Sequence, residues 1–416
     1  MSFQINRQLA HLHDCDVLVI GGGPAGTAAA ISAARMGKDA ALVERSGQLG
    51  GMMTLGNVAI FMPVGRVTGL YAELVATHCK EFYTWGKSYP RCQFNAVNMR
   101  YDCLRRAAEA GVKIFFHTEF LSVLKNGAGE PCGIAAHTRE GLGAITGKIL
   151  VDCTGDAHAA IDAGAAYSTG RPGDGATQPM TLMFEMQDTG KAAEPYIPEG
   201  AYRYGSVDEL PQGRVLYFDR NNEGRVLVNM TRVRGNGTDF FNAANAELEA
   251  MKQMYGVAEY LQKNIFPNHC ISSAAPQVGV RQTRQIEGEY KLTADDLING
   301  SKFSDVVTQT NYEVDIHNPT GKGGTEEYPV KFYDIPYRCM LPKNVTKLLV
   351  AGRCISADHT AMSSLRTIPT CLGLGQAAGV AASAAIDDGC ALKDVNIEKL
   401  HAGLKSQGVQ FFDDAQ

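Results

Sequence analysis

Apolar positions in this chain come in two textures. The first is the short, nearly unbroken run: "CDVLVI" (15–20), "DAALVE" (39–44), "AITGKILVDCTGDA" (144–157) and "VTKLLVAGR" (345–353). Runs of this length without polar alternation predict strands buried on both faces. The second is the long stretch of small residues: "PAGTAAAISAARM" (24–36) and "TCLGLGQAAGVAASAAIDDG" (370–389). These predict helices that lie close to a sheet, ended by Gly37 and Gly389. Helical spacing recurs around 69–85 and 99–110, and strands separated by Gly-rich turns are predicted over 112–126 and 132–140. Between 180 and 232, strand-like runs such as "MTLMFEM" and "GRVLVNMTRV" alternate with polar loops. Asp239–Asn264 predicts one long amphipathic helix with Gly256 as its weak point. Residues 265–343 predict short strands and loops, with "NPTGKGG" (318–324) as a flexible stretch.

The first strand runs directly into Gly21-x-Gly23-x-x-Gly26, and a helix and a second strand follow within a βαβ unit of about 30 residues. Gly21 permits a tight turn, Gly23 lets the main chain approach a pyrophosphate, and Gly26 lets the helix sit against the strand. The helix start, with Pro24 and Ala25, turns free N–H groups and positive dipole toward phosphate. Glu44 ends the second strand about 20 residues on, where an acid accepts hydrogen bonds from ribose hydroxyls. The fold class is therefore α/β. A Rossmann-like FAD/NAD(P)-binding domain is expected from 1–165 plus 344–416. A β-rich α+β substrate domain is expected to be inserted over 166–343.

Composition narrows the partners. Net charge is −5 and the pI about 6.1, which leaves no basic footprint for nucleic acid. No apolar run is read as reaching the ~18 residues of a membrane span. The N-terminus "MSFQINRQLAHLHD" lacks the apolar centre of a signal peptide. Eleven cysteines, an odd count with no CxxC, predict mostly buried, unpaired thiols in a reducing cytoplasm. They also argue against an iron–sulfur cluster or structural zinc.

The second strand is followed at once by "RSGQLGGMMTLG" (45–56), a second Gly-rich stretch suited to an extended FAD. The distant "LLVAGR" and "GLGQAAG" supply another approach to the same cofactor, which a simple NAD dehydrogenase does not need. Taken with "ILVDCTGDA", "GVRQTRQIEGEY", "IPYRCMLP" and "LLVAGRCISADHTAMSSLRTIPTCLGLGQAAG", the chain resembles the FAD-dependent oxidoreductases. Specifically, it resembles the bacterial group sharing the fumarate reductase and glutathione reductase flavoprotein fold. The resemblance implies that Gly21, Gly23, Gly26, Glu44 and the adjoining Arg45 hold the ADP half. It places Gly50, Gly51 and Thr54 along the FAD, and Thr154, Gly155 and Asp156 near the ADP half. Gly352 and Arg353 fall near the pyrophosphate, and Cys371, Leu372, Gly373 and Gln376 on a helix start facing the flavin. No His or Cys stands beside Gly50–Gly51, so the FAD is expected to be non-covalent.

Hydride transfer needs a group that moves a proton and a group that holds the substrate. His317 or His359 is expected to move the proton, with Arg281 and Arg366 as carboxylate anchors. Arg284, Asp315, Tyr337 and Arg338 are further polar candidates. Asp315 and His317 alternate on one strand face and equally well satisfy each other. Met52, Met53 and Met62 line the cofactor or fill the core. Tyr83, Trp85 and Tyr89 form either a substrate wall or a homo-oligomer contact. The expected activity is flavin-dependent oxidation or reduction of a small polar metabolite, with an electron partner the sequence does not name. The alternatives are a monooxygenase-like enzyme and a non-catalytic FAD-binding protein.

Overall fold

The computed structural model describes residues 8–62, 67–79, 83–84, 90–219, 223–320 and 324–412. Trp85 and Tyr89, and the side chain of Tyr83, lie outside the described residues.

Strand β1 (Ala10–Ile20), helix α1 (Pro24–Arg35) and strand β2 (Ala40–Glu44) form the expected βαβ unit. β1 and β2 pair in parallel, Val17 opposite Ala40 through Ile20 opposite Val43. On its other side β1 pairs in parallel with strand Gly141–Asp152, placing Ile20 opposite Asp152. The seven-stranded sheet adds Lys113–Phe116 beyond β2, and an antiparallel meander of Glu119–Lys125 and Pro131–Thr138 on the other flank. Strand Leu348–Val350 returns from far along the chain and pairs in parallel with Gly141–Asp152, Leu348 opposite Leu150. The unbroken apolar run is explained by burial on both faces: Val17, Leu18, Val19 and Ile20 are at most 1% exposed. Each such side chain contributes about 1.5–3 kcal/mol.

The helix Ile368–Asp388 lies against α1, and its small residues are what let it. A Cβ on Gly375 would sit 2.0 Å from the Ala25 carbonyl oxygen, and one on Gly379 2.2 Å from that of Ala29. This helix is long and apolar enough to cross a membrane by composition, which corrects the reading that no segment reaches that length. Its residues from Ile368 to Ala385 are buried inside the protein, as those of a core helix are.

Residues 180–274 build a four-stranded antiparallel sheet of Tyr217–Asp219, Arg225–Val228, Phe184–Asp188 and His269–Ala274. The helix Phe240–Asn264 packs on it, capped by the Asp239 carboxylate accepting from the Asn242 N–H at 2.8 Å. Gly256 does not interrupt this helix. Its missing side chain admits the Tyr202 carbonyl, which would lie 2.4 Å from a Cβ there. Two antiparallel pairs follow, Val306–Thr310 with Tyr333–Pro336 and, between them in the chain, Val314–His317 with Thr325–Tyr328. The short helices His158–Ala163, Ala294–Asn299 and His359–Leu365 were not anticipated from the sequence.

Cys79 and Cys92 are joined in a disulfide, with Cα atoms 5.5 Å apart. This departs from the expectation for those two residues. The end of helix Leu70–His78 is folded back beside strand Pro90–Gln93, a proximity that sequence spacing does not reveal. The other nine cysteines are free.

Candidate active site

Four glycine-bearing segments meet at the start of α1. Gly21 has φ +99°, and a Cβ there would lie 2.7 Å from the Cys153 carbonyl oxygen. Gly26 is held still more tightly, since a Cβ would fall 1.7 Å from the Gly21 oxygen. Gly23 is the opposite case: no atom lies within 4 Å of where its Cβ would be. One wall of that open space is the 50–51 turn, where a Cβ on Gly51 would come within 2.8 Å of the Gly23 Cα. Gly352 closes another side, its Cβ position 3.3 Å from that of Ala25. The start of α1 has no side-chain cap and no acidic residue in its first turn. Its N–H groups and dipole are left for an anion, as a pyrophosphate cradle requires.

Glu44 does more than the sequence suggested. Its carboxylate accepts from the Gly22 N–H and the Ser46 N–H, each at 2.7 Å, and so fixes both glycine turns relative to β2. Carboxylate oxygens accept more than one bond each, so capacity remains for ribose hydroxyls. Arg45 is exposed. The Thr54 hydroxyl donates to the Leu49 carbonyl at 2.8 Å and closes the second turn. The fully buried Asp152, missed in the sequence, shapes the 154–156 turn. It accepts from the Thr154 N–H and hydroxyl and the Ala160 N–H, at 3.0, 2.7 and 2.8 Å, while burial raises its pKa. Gly155 abuts the Arg353 guanidinium. Arg353 pairs with Asp156 and donates to the Thr283 hydroxyl at 2.9 Å, and that hydroxyl donates to Asp156 at 2.8 Å. Burial pushes the Asp156 carboxyl up, but Arg353 beside it prevails and holds it below the usual range.

The helix start after Thr367 is also free of a side-chain cap. Cys371 sits on its first turn, its thiol donating to the Arg366 carbonyl at 3.5 Å, with burial raising its pKa to about 12. Leu372 is packed in the core, and Gly373 makes room for Thr308. Gln376 is occupied elsewhere, accepting from the Leu70 N–H and donating to the Gln407 carbonyl, both at 3.1 Å.

Beside these turns lies a polar side-chain cluster. It adjoins the 50–54 turn, because a Cβ on Gly279 would lie 3.4 Å from both the Met52 sulfur and the Thr181 carbonyl oxygen. The Arg281 guanidinium donates to the Thr181 hydroxyl at 2.6 Å and the Pro179 carbonyl at 2.7 Å. Arg366 ends the helix His359–Leu365 and donates to the Asp315 carboxylate at 3.1 Å and to the Gln178 side-chain oxygen at 3.3 Å. His317 presents Nε2 to Asp315 at 3.4 Å, and its backbone N–H donates to the Gln178 side-chain oxygen at 3.2 Å. Burial and the neighbouring Arg281 drive the His317 pKa well below its ordinary value, so the ring is neutral. Asp315, despite burial, is held far below the carboxylate range by the His317 side chain hydrogen-bonded to it and by the charges of Arg366 and Arg281. Gln178 and Gln282 link the two histidines. The Gln178 N–H donates to the Gln282 oxygen at 3.2 Å, and the Gln282 amide donates to His359 Nδ1 at 2.9 Å.

Three sequence candidates fall outside this cluster. Arg284 lies over the Tyr167 ring, its guanidinium carbon 5.5 Å from the ring centroid. Arg338 pairs with Asp305 at 2.9 Å, and Tyr337 is buried with its hydroxyl donating to the Leu392 carbonyl at 2.9 Å. Met53 is buried in the core.

The FAD dependent oxidoreductase family model matches residues 16–404. The chain belongs to this family. It is thus an FAD-dependent enzyme, and the open space at Gly23 beside an uncapped helix start fits that cofactor. A comparison with curated proteins found no match. Among solved structures it is similar to a geranylgeranyl bacteriochlorophyll reductase-like protein from Thermoplasma acidophilum. Identity is 13%, over 95% of this chain and 83% of that one, with a TM-score of 0.49. It is also similar to the myxobacterial chondrochloren halogenase CndH, at 13% identity over 95% and 79% of the two chains, TM-score 0.45. A third is the anhydrotetracycline hydroxylase OxyS from Streptomyces rimosus, at 12% identity over 95% and 66%, TM-score 0.46.

Proposed function

We propose that this enzyme exchanges hydride with a small polar metabolite in the pocket of Arg281, Asp315, His317 and Arg366, and that it works as a dehydrogenase. The FAD is held non-covalently by the turns at Gly21–Gly26, Gly50–Thr54, Thr154–Asp156 and Gly352–Arg353. When bound, FAD supplies the two-electron centre that takes or returns hydride. The protein's own residues do the rest. Arg281 and Arg366 anchor the substrate at its acidic end or ends by charge-assisted hydrogen bonds. His317 takes the proton that leaves the substrate's hydroxyl or amine.

One observation carries this reading. His317 is 5% exposed, its Nε2 faces the Asp315 carboxylate, and its Nδ1 has no partner among the described residues. A neutral imidazole with one nitrogen aimed at a carboxylate and the other vacant is arranged to accept a proton. His359 has Nδ1 engaged by Gln282 and is the weaker candidate.

The test is an anaerobic screen of metabolites for bleaching of the flavin band, repeated with His317→Ala and His359→Ala. General base removal predicts a loss of about 10²–10⁴ in bleaching rate for His317→Ala, and a smaller one for His359→Ala. Bleaching rates that survive His317→Ala refute the assignment. Oxygen uptake that needs both NAD(P)H and substrate would favour the monooxygenase-like alternative. Flavin left on the protein after acid precipitation would overturn the non-covalent attachment.

A further inference from the structure

The pocket holds a third guanidinium that the proposed reaction does not use. Arg232 follows strand Arg225–Val228 and lies half-buried beside Arg281. The two share partners. Both donate to the Thr181 hydroxyl, Arg232 at 2.9 Å and Arg281 at 2.6 Å. Both reach the Asn229 side-chain oxygen, at 3.0 and 3.4 Å. No carboxylate bonds either one among the described residues. Asp315 instead pairs with Arg366 and His317. The cluster therefore holds three guanidinium groups, one carboxylate and a neutral imidazole. Two like charges share one hydroxyl in a half-buried site, and that is costly unless something negative joins them.

The orphaned atoms of the cluster mark where it would join. Arg232 Nε, Arg366 Nε, His317 Nδ1 and Gln178 Nε2 are all buried without a hydrogen-bond partner. Gln178 is 0% exposed. Its orientation is fixed because the His317 N–H and the Arg366 guanidinium both donate to its oxygen, which leaves Nε2 free to donate. Three of these four atoms are donors. Buried donors left unpaired in a native protein call for an acceptor the chain itself does not supply.

We propose that the substrate is a small organic dianion, one acidic group bridging Arg232 and Arg281 and the other on the free Nε edge of Arg366. This rests on reading the pocket as the substrate site, and it adds Arg232 as a specificity-determining residue. A dicarboxylate or a phosphorylated acid has this chemistry. The dianion cancels the two uncompensated charges. It also removes the repulsion that, together with burial, keeps His317 from accepting a proton.

The experiment is calorimetric titration of the FAD-loaded enzyme with glutarate, valerate and phosphoglycolate, on wild type, Arg232→Gln and Arg232→Lys. Losing one charge-assisted contact weakens binding by about 10- to 100-fold. Glutarate is expected to bind wild type at least that much more tightly than valerate, with the preference collapsing in Arg232→Gln and partly kept in Arg232→Lys. Tighter binding of phosphoglycolate than glutarate supports the dianion and assigns a phosphate to one subsite. If Arg232 only braces Asn229 and Thr181, its replacement lowers the melting temperature and leaves the glutarate-to-valerate ratio intact, which overturns the proposal. Equal binding of glutarate and valerate to wild type overturns it too. A neutral metabolite that bleaches the flavin in a His317-dependent way would sink the dianion and leave the hydride-transfer reading standing. Glutarate binding with no bleaching by any acid would do the reverse.

Discussion

Substituting alanine for Gly375 tests how the cofactor cradle is held. Helix propensity alone favours the change, because alanine in a helix interior is about 1 kcal/mol better than glycine. The packing opposes it. The new Cβ would lie 2.0 Å from the Ala25 carbonyl oxygen and 2.6 Å from its carbon, whereas ordinary contact begins near 3.4 Å. The obstacle is backbone, so α1 and Ile368–Asp388 must separate by about 1 Å along much of their contact. Overpacking of this kind costs about 1–3 kcal/mol, occasionally more, and a clash with main chain belongs at the upper end. After the propensity gain, a net loss of about 2 kcal/mol is expected. At roughly 2 °C per kcal/mol for a large domain, that is a drop of several degrees in melting temperature. Ala25 is also in the first turn of α1, so the same displacement opens the pyrophosphate cradle. The assay is thermal denaturation together with the ratio of flavin to protein absorbance after purification. Gly127→Ala, in a loop with nothing within 4 Å of its Cβ position, serves as control. A Gly375→Ala protein that melts higher than wild type with full FAD content would refute the reasoning.

Two further predictions concern titration and thiols. His317 is held neutral by burial and Arg281, with its folded pKa well below the ordinary 6.5. The unfolded chain therefore binds the extra proton first, and stability falls as pH drops below that value. His317→Gln should lose less stability than wild type between pH 7 and 5, by at most about 1.4 kcal/mol per pH unit. Asp315 adds nothing to that window, since a depressed carboxyl gives up its contribution only at lower pH. Parallel denaturation curves for the two proteins would contradict the assignment. Purified without reductant and unfolded, the chain should show nine reactive thiols, rising to eleven after reduction. Eleven at the outset would deny the Cys79–Cys92 bond.

What was legible in the sequence was whatever local chemistry determines. The β1–α1–β2 unit and its glycines are contiguous, and a main chain that must approach phosphate and pack helix on strand leaves little choice of residue. The same physics misled at Gly256. Propensity marks a glycine in a helix as a weakness, whereas this one admits the Tyr202 carbonyl. Short helices such as His359–Leu365 escaped because seven residues hold too little periodicity to separate from a loop. The disulfide escaped because its partners are adjacent only after the chain has turned back.

The proposed substrate site was half legible for a different reason. Arg281, Asp315, His317 and Arg366 were reachable because their residue types suit the chemistry, but their grouping is purely tertiary. Arg366 meets Gln178 across 188 positions of chain, and Arg281 meets Thr181 across 100. Arg232 carried no signal at all. It lies in a strand-like run and reads as an ordinary surface arginine until its neighbours are known. What makes it informative is that no carboxylate among the described residues bonds it, and only a folded structure shows that. The glycine turns thus identify the cofactor from composition and spacing, while the charge imbalance around Thr181 and Asn229 speaks for the substrate. The two meet where Gly279 lies in reach of Met52. The cofactor cradle and the proposed anion site are drawn from separate parts of the chain, so on this reading Arg232 can be altered while the cradle at Gly23 stays intact.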